Sequence, residues 1–136
     1  MTVRILVVDD ESDVEMLFRQ QFRRELREGR FILDFARSAG EALSKIIQID
    51  GKELILLVSD INMPGMSGLD LLLRIKTDWP DLPVLMITAY SDAETRTIVF
   101  ERGADGLLTK PIDFAALRAE IDARVAGGER GTERQR

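Results

Sequence analysis

Polar side chains that could form a metal or phosphate site stand at the ends of apolar runs in the sequence. Three carboxylates follow the first run and one side chain follows each of three later runs: Asp9, Asp10, Glu11, Asp60, Thr88 and Lys110. Short apolar runs of this kind are typical of strands buried in a parallel sheet. Because ligands bind at the carboxyl ends of parallel strands, we expect these side chains to gather at one edge of the sheet.

The chemistry expected at such an edge is phosphoryl transfer. Carboxylates brought close together repel one another, so either one of them takes up a proton or a cation lies between them. The sequence contains neither His nor Cys, and oxygen ligands alone select Mg²⁺ or a similar ion. An aspartate nucleophile, a metal ion, the ammonium of Lys110 and the hydroxyl of Thr88 are the components of phosphoryl transfer onto a carboxylate. Each residue alone also suits a turn or a strand, so the prediction depends on their joint placement.

The elements that must position these residues alternate between strands and helices. Five apolar runs predict strands: Val3–Val8, Phe31–Phe35, Leu54–Val58, Pro83–Ile87 and Gly106–Leu108. Five segments with the apolar spacing of amphipathic helices follow these runs. The pattern predicts an α/β domain with a parallel sheet, right-handed crossovers and helices on both faces.

Length and composition exclude several classes of protein. The 136 residues, 45% hydrophobic and 32% charged, predict one globular domain over residues 1–126, then a disordered tail or the start of a linker at 127–136. Without Cys, disulfides and thiolate catalysis are excluded. The net charge of −5 argues against direct binding of nucleic acid. No apolar run approaches the ~20 residues of a membrane span, so we expect a cytoplasmic protein without membrane contact.

The motifs together resemble the response-regulator receiver domain of two-component signalling. Five segments match that family in order and spacing: 5–11, 59–68, 88–90, 103–105 and 110–111. The resemblance extends over about residues 3 to 126. It implies a flavodoxin-like (βα)5 fold whose five-stranded parallel sheet has the order 2-1-3-4-5.

Residue by residue, the resemblance implies a phosphorylation site. Asp60 matches the phosphoacceptor, which receives its phosphoryl group from a sensor histidine kinase or a phosphotransfer protein. The implied ligands of Mg²⁺ are Asp9, Asp10, Asp60 and the backbone carbonyl of Asn62. Thr88 matches the switch hydroxyl and Lys110 the family's lysine. The residues next to the site are Ala89, Tyr90 and Pro111, and the bond from Lys110 to Pro111 is usually cis in this family.

One position departs from the family pattern. Receiver domains usually carry Tyr or Phe three residues before the lysine, and this ring turns inward when the switch hydroxyl moves. Here that residue is Leu107, and Tyr90 occupies a different position. The departure leaves the phosphorylation chemistry intact and puts the aromatic switch in doubt.

Two surfaces are candidates for partner binding. The fourth predicted helix contains four consecutive residues, Thr97 to Phe100, of which at least one should face outward. With Leu107, they predict an apolar face of helix four, strand five and helix five that could serve a homodimer or an output domain. An output domain could also follow residue 136. The first helix bears Arg19, Arg23 and Arg27 at successive turns, which predicts a solvated basic face or, by the resemblance, docking of the kinase.

Three other functions are alternatives to a phosphorylation switch. A receiver-fold docking module that needs no phosphorylation stays open because of Leu107. A Mg²⁺-dependent phosphatase with an aspartyl-phosphate intermediate would carry two aspartates one residue apart after the first strand, whereas Asp9 and Asp10 are adjacent. A flavin binder of the flavodoxin type would need a Ser/Thr/Gly-rich loop there. We therefore expect a protein that catalyses only its own phosphorylation and dephosphorylation and acts on no external substrate.

Overall fold

Five parallel strands form one sheet in the order β2–β1–β3–β4–β5, as the resemblance implies. The computed structural model describes residues 2–49, 54–90 and 92–134, with side chains as far as residue 125. The strands are β1 (Val3–Val8), β2 (Phe31–Ala36), β3 (Leu54–Asp60), β4 (Val84–Thr88) and β5 (Gly106–Thr109). Each strand begins and ends within two residues of the predicted bounds.

In the described residues six helices flank the sheet, one more than the sequence predicts. They are α1 (Ser12–Gln21), α2 (Arg23–Arg27), α3 (Ala39–Ile49), α4 (Gly68–Asp78), α5 (Ala93–Glu101) and α6 (Phe114–Arg134). The extra helix arises because the backbone of Phe22, at φ −105° and ψ 22°, departs from helical geometry and separates α1 from α2. The Phe22 N–H still donates to the carbonyl oxygen of Phe18 at 3.0 Å, so Phe22 keeps its place on the apolar stripe. The predicted fourth and fifth helices are consequently α5 and α6.

Alternate residues of the strands pack into two apolar layers on opposite sides of the sheet. In β1, Leu6 and Val8 pack with α3, α4 and α5, whereas Ile5 and Val7 pack with α1 and α6. The second layer, here the aromatic layer, holds five phenylalanines whose contacting ring centroids lie 5.1 to 6.3 Å apart: Phe18, Phe22, Phe31, Phe35 and Phe114. The first, here the aliphatic layer, is built from aliphatic side chains and methionines, with Trp79 at its margin.

α5 begins with a side-chain cap. Oδ1 of Asp92 accepts a hydrogen bond from the Thr95 N–H at 2.7 Å, which satisfies one of the unpaired donors at the start of the helix. This hydrogen bond lowers the pKa of the Asp92 carboxyl below its usual value.

α6 is longer than the sequence predicts. Its backbone is helical from Phe114 to Arg134, beyond the expected domain boundary at residue 126. Adding residues to an existing helix costs far less free energy than nucleating a new one, so the polar residues after 126 can continue it. The tail predicted to be disordered is thus helical over 127–134, and residues 135 and 136 lie outside the described residues. The position of the domain boundary stays a prediction.

None of the helices in the described part of the chain is both long and apolar enough to cross a bilayer.

Candidate functional site

The register of β1 and β3 places two aspartates side by side at the carboxyl edge of the sheet. Val8 is paired with Ser59, so Asp9, which follows β1, lies beside Asp60, the last residue of β3. Both carboxylates are buried, with residue exposures of 6% and 4%. Burial of two neighbouring carboxylates is unfavourable unless a cation compensates them.

β4 and β5 add a hydroxyl and an ammonium to the same edge. Asp60 is paired with Ile87, and Thr88, the next residue of β4, is buried. Lys110 follows β5, and its N–H donates to the carbonyl oxygen of Thr88 at 2.8 Å. Four adjacent strands therefore end at this edge and bring Asp9, Asp60, Thr88 and Lys110 to it.

Lys110 is the cation that faces the carboxylates. Its Nζ lies 3.1 Å from Oδ2 of Asp60, 3.4 Å from Oδ2 of Asp9 and 3.5 Å from Oε1 of Glu11. The remaining oxygens of the two buried aspartates accept backbone hydrogen bonds. The Glu11 N–H donates to Oδ1 of Asp9 at 2.9 Å, and the Asn62 N–H donates to Oδ1 of Asp60 at 3.3 Å.

The charges of the site influence one another's protonation. Burial is the strongest influence on Asp9 and raises the pKa of its carboxyl; the Glu11 N–H acts in the opposite direction, and the charge of Asp60 raises it further. Burial disfavours the charged form of Lys110, yet the hydrogen bond to Asp60 and the surrounding carboxylates raise the pKa of its ammonium above the usual value. Lys110 therefore stays positively charged at neutral pH and holds one positive charge among three acidic side chains.

The acidic side chains suit a divalent cation. One oxygen from each of Asp9, Glu11 and Asp60 lies within 4.8 Å of the other two, and oxygen donors without nitrogen or sulfur match Mg²⁺. The resemblance implies Asp10 rather than Glu11. Asp10 is exposed, and its carboxylate makes no hydrogen bond or ion pair with the residues that the structure describes. Asp10 is thus free to turn toward a cation, whereas Glu11 faces Lys110.

The sequence places Glu11 among the carboxylates expected at this edge, but the ligand set that the resemblance implies does not include it. Its backbone is extended, at φ −86° and ψ 122°, so the side chains of Asp9 and Glu11, two residues apart, share a side of the chain. The position of Glu11 beside Asp9 follows if the alternation of side chains along β1 is continued beyond Val8.

The loop after Asp60 packs tightly against the strand end. A Cβ at Gly68 would lie 2.1 Å from the carbonyl oxygen of Asp60 and 2.7 Å from Cα of Ile61, so only glycine fits. The Gly68 N–H donates to the carbonyl oxygen of Ile61 at 2.8 Å, and Oγ of Ser67 caps α4 by accepting from the Asp70 N–H at 3.2 Å. The start of α4 therefore holds the backbone next to Asp60 in place. This role of Gly68 was not evident from the sequence, which shows only a polar turn.

The predicted switch and neighbouring positions lie around the same edge. Oγ1 of Thr88 accepts a hydrogen bond from the Tyr90 N–H at 3.0 Å, while Ala89 and Tyr90 are exposed, Tyr90 to 72%. Leu107 is half-buried and packs against the aliphatic layer. The peptide bond from Lys110 to Pro111 is cis, as the resemblance implies.

An apolar side chain of α5 is exposed. Phe100 is 45% exposed, which confirms that one of the four consecutive residues of this helix faces outward. Ile98 is half-buried and Val99 is fully buried in the aliphatic layer. The guanidinium of Arg96 lies 5.9 Å from the centroid of the Phe100 ring.

Comparison with known proteins gives one family. The family model described as "Response regulator receiver domain" matches residues 5–122. The response regulator RppA of Synechocystis is 34% identical over 121 residues, which cover 89% of this chain and 50% of that protein. This chain spans about half the length of the first curated relatives that it matches.

Solved structures show the same fold. A response regulator receiver domain protein from Clostridium thermocellum superposes with a TM-score of 0.82 at 24% identity, covering 93% of this chain and 97% of that one. A two-component response regulator of the LuxR family from Aurantimonas superposes with a TM-score of 0.78 at 30% identity, covering 93% and 87%.

Proposed function

The chain belongs to the response-regulator receiver domain family, and from this premise we propose that it is a switch controlled by phosphorylation of Asp60. The observation that carries the proposal is the environment of the Asp60 carboxylate. This carboxylate is buried at the carboxyl edge of the sheet, with Lys110 at one oxygen and the Asn62 N–H at the other. A carboxylate held in this way has a fixed orientation and a cation ready to pair with an incoming phosphate.

The residues of the site have separate tasks in the transfer. An oxygen of Asp60 forms a bond to phosphorus while the bond from phosphorus to the donor's imidazole nitrogen breaks, and the imidazole takes a proton from solvent and leaves neutral. Lys110 pairs with a phosphoryl oxygen, and the Thr88 hydroxyl turns to donate to another. Mg²⁺, held by Asp9, Asp10, Asp60 and the carbonyl of Asn62, would supply charge that offsets the phosphoryl oxygens.

The proposed partners follow from the family. A sensor histidine kinase or a phosphotransfer protein donates the phosphoryl group in the cytoplasm, and the modified domain signals through the face of α5, β5 and α6. That face would bind a second copy of the domain, or an output domain beyond residue 136. Phe100 of α5, which is 45% exposed, would supply an apolar contact.

A docking module that needs no phosphorylation is the second candidate, and Leu107 is the observation that favours it. Its aliphatic side chain packs against the aliphatic layer where the family carries a mobile aromatic ring. A phosphatase acting on external substrates gains no support, because such an enzyme carries two aspartates one residue apart after its first strand, and here Glu11 stands two residues after Asp9.

Incubation with acetyl phosphate, followed by intact mass measurement, tests the proposal. We expect one phosphoryl adduct that requires both Mg²⁺ and Asp60 and that disappears in Asp60→Asn. Asp78→Asn, at an exposed carboxylate on α4, serves as the matched control and should be modified normally. An adduct that persists in Asp60→Asn contradicts the assignment of the phosphoacceptor. If protein that binds Mg²⁺ forms no adduct with acetyl phosphate or with any phosphorylated histidine kinase, that result favours the docking module.

A further inference from the structure

A basic groove lies on the outside of the domain, where α1, α2 and α6 meet. Its volume is about 650 Å³, within the range of small-molecule sites. Nine polar and charged residues line it: Gln20, Gln21, Arg23, Arg24, Glu25, Arg27, Glu28, Arg30 and Arg118. Five of these are arginines and two are glutamates, so the groove is positive in a chain whose net charge is −5.

Two of the arginines, Arg118 and Arg30, form ion pairs with the two glutamates of the groove. Arg118 of α6 forms an ion pair with the buried carboxylate of Glu25, donates to the carbonyl oxygen of Gln21 at 3.1 Å and lies 4.8 Å from the centroid of the Phe22 ring. Arg30 pairs with Glu28 at 2.9 Å. Both glutamates of the groove are therefore already paired with arginines of the groove.

The other three arginines carry uncompensated charge. Arg23, Arg24 and Arg27 are exposed, and their guanidinium groups make no ion pair or hydrogen bond to any residue in the described ranges. They lie within five consecutive residues of one short helix. Three guanidinium groups so close together repel one another, and a multiply charged anion would relieve that repulsion.

The groove is remote from Asp60. The carbonyl oxygen of Arg30 accepts a hydrogen bond from the N–H of Val3, the first residue of β1, so the groove reaches the amino edge of the sheet. The phosphorylation site lies at the carboxyl edge, about 16 Å away along the strand. The two sites share no residue.

We propose that this groove binds a compact oligoanion, a di- or triphosphate group. Such a group carries about three to four negative charges within a few ångströms, which matches three free guanidinium groups, and guanidinium binds phosphate oxygens in a bidentate fashion. No aromatic ring is exposed in the lining, so a nucleobase would find no stacking surface. A long polyanion would be repelled by the acidic remainder of the surface.

Titration calorimetry with inorganic tripolyphosphate, in Mg²⁺-free buffer of low ionic strength, tests this site. We expect 1:1 binding that weakens as salt is added, and amide shifts confined to residues 20–30 and 118 in NMR spectra. Arg24→Gln should weaken binding about tenfold, and adding Arg27→Gln should abolish it. Arg74→Gln, at an exposed arginine on α4, and Asp60→Asn are the controls and should bind as the native chain does.

Several outcomes would overturn the proposal. They are absence of binding, amide shifts at Asp9 and Asp60 instead of the groove, and equal weakening by Arg74→Gln. Citrate binding as tightly as tripolyphosphate would contradict the choice of a phosphate group, and tighter binding of a single-stranded oligonucleotide would indicate a nucleic acid. Asp60→Asn changes no residue of the groove. Binding of tripolyphosphate is therefore expected whether or not Asp60 proves to be the phosphoacceptor.

Discussion

The ammonium nitrogen of Lys110 lies 3.1 Å from Oδ2 of Asp60, although the two residues are 50 positions apart in the sequence. Asp9 shares the same ammonium at 3.4 Å. Lys110 is thus the internal counter-ion of a buried acidic pair, and a bound metal ion would take over part of that role. This relationship makes stability and metal binding interdependent.

Lys110→Met tests that interdependence. The change leaves Asp9 and Asp60 buried beside one another without a cation, so the free energy of unfolding in Mg²⁺-free buffer should fall by about 1–3 kcal/mol. Because Mg²⁺ can replace the missing charge, saturating Mg²⁺ should restore most of the loss. Urea unfolding with and without Mg²⁺ measures both values.

Lys45→Met is the matched control for that experiment. Lys45 makes only a surface ion pair with Glu41 at 3.9 Å, so its loss should cost less than about 0.5 kcal/mol under either condition. Equal destabilisation of Lys110→Met with and without Mg²⁺ would contradict the role of Lys110 as a counter-ion.

Asp10 and Glu11 should differ in their importance for Mg²⁺ affinity. Glu11 already faces Lys110 at 3.5 Å, whereas Asp10 is exposed and free to turn toward the ion. We expect Asp10→Asn to weaken Mg²⁺ binding at least about tenfold and Glu11→Gln less than about threefold, by titration calorimetry. The reverse order would make Glu11 the ligand in place of Asp10.

Gly68→Ala should destabilise the domain and disturb its phosphorylation. The new Cβ would lie 2.1 Å from the carbonyl oxygen of Asp60, so the loop or the strand end must move, at a cost of about 1–3 kcal/mol. Gly40→Ala is the control: Gly40 lies within α3 with nothing within 4 Å of a Cβ, and the change should stabilise the helix by about 0.5–1 kcal/mol. Urea unfolding gives both values, and an undiminished stability of Gly68→Ala would contradict the close approach.

Asp92 should give α5 a pH-dependent contribution to stability. Its hydrogen bond to the Thr95 N–H lowers the pKa of Asp92 in the folded state below the ordinary value of 3.8. The stabilisation is therefore complete above the unfolded pKa and is lost as the pH falls through the folded one. Asn caps helices about as well without titrating, so the advantage of Asp92 over Asp92→Asn should shrink below about pH 4. Urea unfolding of the two proteins across this range measures it, and a constant difference would contradict the assignment.

Phe100→Glu should prevent any self-association that phosphorylation promotes. The ring is 45% exposed on α5, one element of the proposed interface, and a carboxylate in its place would oppose an apolar contact. Light scattering of the phosphorylated chain measures the association. Leu73→Glu, at a 51% exposed leucine on α4, is the control and should leave it unchanged.

The strands and the site edge could be predicted because their signals are local. Apolar runs such as Leu54–Val58 have few alternatives to a buried strand, and the polar residue that ends each run is brought to the shared edge by parallel pairing alone. The break at Phe22 carries no such signal, because Phe22 continues the apolar spacing of Phe18 on both sides of it.

Contacts between distant elements were beyond sequence reasoning. Glu25 follows two arginines in a polar stretch that gives no sign of burial, yet it is 6% exposed and paired with Arg118. That burial depends on how closely α6 approaches α2, which no spacing within either helix encodes. The near contact of Gly68 with the carbonyl of Asp60 likewise depends on the path of a loop.

Phenylalanine rings are concentrated on one side of the sheet, and we expect this to give the two sides different mechanical compliance. Rings in contact, such as Phe18 and Phe114, are large and rigid, so α1 and α6 should resist displacement. Thioether side chains such as Met86, on the other side, have more rotatable bonds and adapt to small shifts. We therefore expect a displacement that starts at Thr88 to be absorbed mainly on the α5 side of the sheet.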